Sequence, residues 1–398
     1  MNTSFENKIQ DYIFDKKEKI TLGLIIILSI VWRYAGRNFL SADMEDWLLP
    51  WYEEIKESGG VLSLSHQVGN YGLLYQTLIA LMTYGDIEPI YLYKMLSVVF
   101  DFFLAYIVYA ICKDLSSRSA DRILPPALLG GVILVVPTVV INSAFWGQCD
   151  SMYSFFCLLT LYCLFKERYV WAFTGLGLAF ACKLQTVFIL PFVFFYYFKS
   201  KGFSLLYGFV SIAVIWLTGI AAFVQGRSLL APIEIYMGQT NEYKMMSLNF
   251  PSFWVIPGGD YSMQITAIIF TCVVCGIGGY MYLSRKISDS KDMYYEMATW
   301  FVWTMLIFLP SMHERYAYLL DVLLVLLSYK DRRNLVYTIS AICISLFSYS
   351  IFLFNRDTGE LMVWVSILYF IMYSCFSYRL FVGKSPCQNV PSVEKNII

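Results

Sequence analysis

The residues best suited to chemistry lie in a polar stretch, residues 41–51, that directly follows the first apolar segment. This stretch holds three carboxylates, Asp43, Glu45 and Asp46, at the point where a membrane helix should leave the bilayer. A carboxylate kept close to lipid is costly unless it has a function or a partner. We therefore expect Asp43 to be a catalytic base that removes a proton from an acceptor hydroxyl.

A second polar segment, residues 142–150, combines three residue types that are usual in carbohydrate sites. We expect Trp146 to stack on a sugar or an isoprenoid, and Gln148 and Asp150 to form hydrogen bonds with hydroxyl groups. The segment lies at the end of one apolar run and at the start of the next.

Two further segments supply cations for a phosphate group. Lys183 interrupts an apolar stretch that has no acid within several residues, so a phosphate would suit it. Near residue 315, three ionisable residues follow one another between two apolar runs. The Arg315 guanidinium can bind two phosphate oxygens at once, His313 could donate to a bridging oxygen, and Glu314 would orient its neighbours.

Each of these residues also has a structural interpretation. The first acids could cap helix ends or pair with Arg33 and Arg37, and Asp150 could cap a helix N-terminus. Lys183 could pair with an acid elsewhere or extend its ammonium group to the membrane interface. The segment around Arg315 could be a tight interfacial hairpin with an internal ion pair.

The composition identifies the kind of protein that carries these residues. Of 398 residues, 58% are hydrophobic and 15% are charged, and the mean hydropathy is +0.59. A soluble domain cannot bury that much apolar surface, so the chain is predicted to be a membrane protein with many spans. The net charge is zero, so nothing indicates a nucleic-acid partner.

We predict an all-α, polytopic bundle of about 11–13 transmembrane helices that forms a single domain over residues 1–398. Extracytoplasmic amphipathic helices are expected at residues 47–57, where Gly59 ends the helix, and at residues 71–84. The apolar segments are residues 20–38, 89–112, 123–142, 151–165, 169–182, 186–198, 203–224, 262–284, 295–311, 315–328, 334–354 and 360–382.

The charge distribution predicts how these segments are oriented. With both termini in the cytoplasm, all but nine of the 29 Lys and Arg residues lie in or beside cytoplasmic segments, as the positive-inside rule requires. The nine others are Arg33, Arg37, Lys56, Lys94, Lys183, Arg227, Lys244, Arg315 and Arg356. The same topology gives two long extracytoplasmic loops, residues 39–88 and 225–261. It also puts five polar segments on the extracytoplasmic face: residues 41–70, 142–150, 183–185, 241–249 and 312–315.

The motifs in these segments resemble a known family. They are Ser41-x-Asp43, Leu48-x-Pro50-Trp51, Gly59-Gly60, Gly69-Asn70-Tyr71, Trp146-Gly-Gln-x-Asp-Ser151, Lys183-Leu-Gln185 and Met312-His-Glu-Arg-Tyr316. This pattern is similar to bacterial relatives of the GPI mannosyltransferase II type, in the GT-C glycosyltransferase superfamily. Members of that superfamily are multi-pass enzymes that use polyprenyl- or dolichyl-phosphate sugars without a nucleotide.

The resemblance implies a role for each matching residue. Asp43 would be the general base, and Lys183 and Arg315 would hold the lipid phosphate. Gly69, Asn70, Tyr71 and Gln185 belong to motifs that would bind substrate. The chain departs from the family at Met44, Glu45 and Gly72, so Glu45 or Asp46 could share or take the base role.

The expected reaction is an inverting transfer of a sugar from a polyprenyl-phosphate donor to a glycan or lipid-linked acceptor at the outer face of the cell membrane. No cofactor is expected, although a divalent ion could help to balance the phosphate. Two alternatives are left open. A glycan polymerase or ligase would use the same chemistry, whereas a transporter or flippase of a lipid-linked glycan would use none of it.

Overall fold

The computed structural model describes residues 3–116, 124–286 and 293–383, and this part of the chain is almost entirely helical. The predicted cytoplasmic C-terminus, residues 384–398, and most of two predicted cytoplasmic loops lie outside the described residues. The helices are α1 (Thr3–Gly36), α2 (Leu49–Glu57), α3 (Leu73–Met82), α4 (Pro89–Ser116), α5 (Pro126–Ile133), α6 (Pro137–Val140), α7 (Asp150–Phe165), α8 (Tyr169–Cys182), α9 (Leu190–Ser200), α10 (Gly208–Thr218), α11 (Ile220–Val224), α12 (Ala231–Glu242), α13 (Gln264–Leu283), α14 (Tyr294–Phe308), α15 (Tyr318–Lys330), α16 (Asn334–Leu353) and α17 (Leu361–Phe381).

Each of the twelve predicted apolar segments contains a helix, and the two predicted amphipathic helices are present as α2 and α3. Within the described residues, five helices are long and apolar enough to cross a membrane, and a bent pair raises the number to six. The five are Glu6–Gly36, Pro89–Ser116, Tyr261–Leu283, Asn334–Leu353 and Leu361–Phe381. The remaining helices are shorter, so the count of 11–13 spans stays a prediction.

The outer surface of the bundle is apolar where lipid would surround it. On α13, the side chains of Ile265, Ile269, Val273 and Ile277 are exposed and recur every fourth residue, so they share one helix face. An exposed apolar stripe on a helix of 20 residues is typical of contact with lipid tails.

The bent pair of helices gives the candidate site its second polar segment. Pro137 starts α6 because proline tolerates the first turn of a helix but interrupts a longer one, and the chain bends there by 45°. A π-helical turn, Ile141–Trp146, follows directly. Gly147 ends this turn in the left-handed region, with φ +76°, which glycine adopts at little cost. The polar segment therefore lies at a break between helices.

A buried ion pair joins three helical elements below this break. Nη2 of Arg33 donates to Asp101 Oδ2 at 2.7 Å, and Nη1 donates to Ser29 Oγ and to the Leu134 carbonyl. Ser143 in the π-helical turn donates to the same Asp101 oxygen. Asp101 is fully buried, so losing either charge would leave the other without compensation. Arg33 is therefore the partner of Asp101 and not of the acids in residues 41–51.

Two short parallel strands link the second long loop to the segment around Arg315. Strand β1 (Ser247–Leu248) pairs with β2 (Met312–His313), and Ser247 lies opposite Met312. Ser311 precedes β2 with φ +58°, and its amide donates to the Met246 carbonyl. This pairing fixes the backbone from which His313 and Arg315 project.

Candidate functional site

Asp43 is held by three side chains that come from two other polar segments. Its Oδ2 atom accepts hydrogen bonds from Trp146 Nε1 at 2.8 Å, from Gln148 Nε2 at 2.7 Å and from Arg315 Nη1 at 3.0 Å. The carboxylate is 14% exposed. Since all three donors bind one oxygen, the orientation of the carboxyl group is fixed.

The loop that carries Asp43 is anchored on both sides. Lys94 lies on α4, and its ammonium group donates to the carbonyls of Gly36, Arg37 and Phe39 over 2.6–3.1 Å. It thereby satisfies the carbonyls at the end of α1. Beyond them, the Ser41 hydroxyl donates to the Trp146 carbonyl at 3.0 Å. The position of Asp43 is thus set by helix α4 and by the π-helical turn.

Trp146 is fully buried, which argues against the expectation that it stacks on a ligand. Phe352 stacks on its ring with 5.0 Å between centroids, and Tyr349 packs edge-on at 5.1 Å. The Arg315 guanidinium lies 5.5 Å from the ring centroid. Protein side chains thus occupy the surroundings that a sugar would need, and the indole serves to orient Asp43.

Lys183 forms a buried ion pair that its neighbours in sequence do not reveal. Its ammonium group contacts Asp150 Oδ1, and the two side chains are 5% and 0% exposed. Asn142 donates to the other Asp150 oxygen at 2.7 Å. Asp150 therefore binds a cation and an amide, and it does not cap α7, for which no side-chain cap is present. Lys183 follows α8 in an extended conformation that directs the chain into the next turn, Leu184–Ile189.

Arg315 lies among three carboxylates. Its Nη1 atom is 3.0 Å from Asp43 and 3.2 Å from Glu314, and its Nε atom is 3.8 Å from Asp150. Burial alone would lower the pKa of Arg315, but the facing carboxylates, Asp43 foremost, raise it well above the ordinary value. The guanidinium is therefore permanently charged and closely confined.

Glu314 is also ionised, although it is only 2% exposed. Burial would raise its pKa, but a hydrogen bond with His313 and the charge of Arg315 outweigh this effect, so the pKa lies below its ordinary value. Three acids (Asp43, Asp150 and Glu314) thus face Lys183 and Arg315 at the centre of the site.

A cavity of about 300 Å³ adjoins this charged centre. Its cationic wall is formed by Lys183 and Arg315, and His313 and Tyr71 also line the cavity. Burial raises the pKa of Tyr71, so its phenol is neutral and donates to Gln148 Oε1 at 3.0 Å. The apolar wall consists of Leu184, Val187, Phe188, Ile268, Leu309, Pro310 and Met312.

Asp43 is not part of the cavity wall and meets it through Arg315, which contacts both. Four other predicted residues also do not line the cavity and instead position the groups that do: Trp146, Gln148, Asp150 and Glu314. The predicted residues that do line the cavity are Asn70, Tyr71, Lys183, Gln185, His313 and Arg315.

Three predicted site residues neither line the cavity nor form hydrogen bonds with the charged centre. Glu45 and Asp46 are exposed and form no ion pair with any described residue. Gly69 does not line the cavity, and its φ of +69° marks a turn against the ring of Trp51. A Cβ atom at Gly69 would lie 2.5 Å from that ring, so its role is to allow close packing.

The sequence interpretation included residues 241–249 among its polar segments but chose no site residue from the second long loop. Gln239, Thr240, Glu242 and Tyr243 all line the cavity. Glu242 is bound by Asn70, whose Nδ2 atom lies 3.0 Å from both carboxylate oxygens. The available signal was an acid beside an amide in a long loop, which is common in surface loops and gave no reason to choose Glu242.

Within the described part of the chain, no group of three or more His, Cys, Asp or Glu side chains could hold a metal ion. No protein-family model matches the sequence, and none of the curated proteins is similar enough to count as a relative.

Proposed function

We propose that the protein is a membrane glycosyltransferase of the GT-C type that takes a sugar, a hexose such as mannose, from a polyprenyl-phosphate donor. The acceptor would be a cell-surface glycan or a lipid-linked molecule. The observation that supports this best is the position of Arg315, which lines a cavity with a second cation and at the same time binds the carboxylate of Asp43.

The cavity suits the head of a lipid phosphate. Lys183 and Arg315 line the cavity while they also pair with acids of the charged centre, and their N–H groups can donate to phosphate oxygens. Guanidinium groups bind phosphate in a bidentate manner. The apolar wall includes Ile268 of α13, and the neighbouring Ile265 and Ile269 are exposed on the same helix. An isoprenoid chain could therefore leave the cavity along the lipid-facing side of α13.

Asp43 is suited to act on the acceptor. Its Oδ2 atom holds three donors, whereas Oδ1 accepts no hydrogen bond from any described residue. The free oxygen can accept the proton of an acceptor hydroxyl, while Trp146 and Gln148 keep the carboxylate in one orientation.

In the proposed reaction the acceptor oxygen attacks the anomeric carbon as the bond from that carbon to the phosphate oxygen breaks. The acceptor proton passes to Asp43, and the bonding electrons leave with the phosphate. Arg315 and Lys183 stabilise the charge that develops on the phosphate, so no general acid is needed. A single displacement inverts the configuration at the anomeric carbon. Because the phosphate leaves without a general acid, one carboxylate suffices, unlike in glycosidases.

The same proposal places the site on the extracytoplasmic side. The basis is the excess of Lys and Arg in the predicted cytoplasmic segments and the absence from the sequence of a nucleotide-binding loop. A donor used at the outer face would have to be delivered on a lipid.

The test uses purified full-length protein and a radiolabelled polyprenyl-phosphate hexose. We expect the wild-type protein to release the sugar from its lipid carrier to an acceptor fraction, whereas a flippase would leave that bond intact. Asp43→Asn should reduce transfer about 100- to 10,000-fold, since this is the contribution that a general base typically makes. Glu45→Gln and Asp46→Asn are matched controls that remove a carboxylate from the same loop and should keep wild-type rates. Wild-type turnover by Asp43→Asn would refute the assignment of the base.

A further inference from the structure

Glu242 is a carboxylate on the wall of the cavity that Lys183 and Arg315 also line. It is the last residue of α12, it is exposed, and both of its oxygens lie 3.0 Å from Asn70 Nδ2. The Gln239 side chain, one turn earlier on α12, donates to the Asn70 carbonyl. These contacts hold the first and second extracytoplasmic loops together at the cavity.

Polar groups other than the cations line the same wall. They are the amides of Asn70, Gln185 and Gln239, the Thr240 hydroxyl and the Glu242 carboxylate. Each of these groups can form hydrogen bonds with hydroxyls.

The charges of the cavity wall predict how a bound sugar donor is oriented. Lys183 and Arg315 attract a phosphate, and Glu242, the acid among the described cavity residues, repels it. A carboxylate can instead accept two hydrogen bonds from neighbouring hydroxyl groups, which are stronger than bonds to a neutral acceptor. The phosphate should therefore lie at the cations and the sugar ring at Glu242.

We infer that Glu242, positioned by Asn70, selects the sugar of the donor: a neutral sugar with two adjacent free hydroxyls, and not a uronic acid. This inference rests on the proposed function, since it assigns part of the donor to the same cavity. A uronate would bring a second carboxylate toward Glu242, and the repulsion between like charges would oppose binding.

Glu242 could instead act only as a clamp between α12 and the first loop, and Glu242→Gln separates the two roles. The glutamine side chain keeps an oxygen that accepts from Asn70, so a clamp survives the change. The negative charge that would reject a uronate is lost. Glu234→Gln is the matched control, because it removes another exposed carboxylate from the same helix away from the cavity.

The experiment measures binding of short-chain donors to full-length protein in detergent. The probes are citronellyl phosphate, its mannosyl and mannuronyl esters, and the glucosyl and glucuronyl esters as a second matched pair. We expect wild type and Glu234→Gln to bind at least one neutral ester about tenfold more tightly than its acidic partner. In Glu242→Gln this ratio should fall to about one to threefold, while the affinity for citronellyl phosphate stays within about twofold of wild type.

The outcomes distinguish this inference from the proposed function. Wild-type protein that binds citronellyl phosphate but does not discriminate within either pair refutes the role of Glu242 alone. The same conclusion follows if Glu242→Gln keeps the tenfold preference. If wild type binds neither citronellyl phosphate nor any ester, the proposed function fails and this inference fails with it.

Discussion

Replacing Lys183 by Met removes the charge that neutralises Asp150, whose side chain is fully buried. Breaking a buried ion pair by removing one partner costs about 3–5 kcal/mol, because the other charge is left uncompensated. Asp150 would keep the Asn142 hydrogen bond at 2.7 Å and the Arg315 guanidinium at 3.8 Å. We therefore expect a loss near the lower limit, about 3 kcal/mol in the free energy of unfolding.

The double variant Lys183→Met/Asp150→Asn has no unpaired charge at this position. It should unfold within about 1 kcal/mol of wild type, because a neutral pair of similar volume can replace a buried ion pair. The two single effects should therefore not add, and the coupling energy should be about 2 kcal/mol or more. Lys166→Met is the matched control: its pair with Asp114 is 37% and 30% exposed, so its loss should cost less than about 1 kcal/mol.

The assay is denaturant unfolding of detergent-solubilised protein, followed by tryptophan fluorescence, in parallel with binding of citronellyl phosphate. If Lys183 is also a phosphate ligand, the double variant regains stability but binds the phosphate at least about tenfold more weakly than wild type. A single Lys183→Met variant as stable as wild type would refute the buried pair. Recovery of both stability and phosphate affinity in the double variant would show that Lys183 acts only as a structural partner.

Three further changes test the surroundings of the site. Trp146→Phe keeps an aromatic ring but removes the N–H donor 2.8 Å from Asp43. A hydrogen bond to a charged group is worth about 2 kcal/mol, so transfer should slow about 30-fold. An unchanged initial rate would contradict this. Gly69→Ala puts a Cβ atom at φ +69° against a tryptophan ring 2.5 Å away and should cost about 1–3 kcal/mol; an unchanged unfolding midpoint would count against the turn. Glu314→Gln should cost about 2 kcal/mol at neutral pH. Because the pKa of Glu314 is lowered, its contribution is present above its unfolded value of 4.5 and is lost as the pH falls below that value. The difference between the unfolding midpoints should thus be constant from pH 8 to about pH 5 and should shrink as the pH falls below 4.5. A difference that grows in acid would contradict the charge state.

Much of the fold could be predicted from the sequence because long apolar runs have few alternatives to helices in a membrane protein. All twelve apolar segments contain helices, and α2 ends at Gly59, which has φ +87° as a helix-terminating glycine should. The boundaries were less certain where proline or polar residues interrupt a run, as at the bend before Ile141–Trp146.

The sequence could identify the polar segments but not the pairs that they form. Asp43 and Arg315 are 272 residues apart, and Lys183 and Asp150 are 33 apart, so each pairing depends on tertiary structure. Trp146 illustrates the limit, because its residue type suits a sugar platform as well as a buried donor. The burial of the indole and the packing of Phe352 and Tyr349 on its ring distinguish the two roles.

The most direct test of the account is a cryo-electron microscopy map of the full-length protein with a bound citronellyl phosphate hexose. The account predicts that the phosphate lies in the cavity of about 300 Å³, in contact with Lys183 and Arg315, and that the anomeric carbon faces Asp43. A phosphate bound elsewhere on the protein, or an anomeric carbon turned away from Asp43, would contradict it.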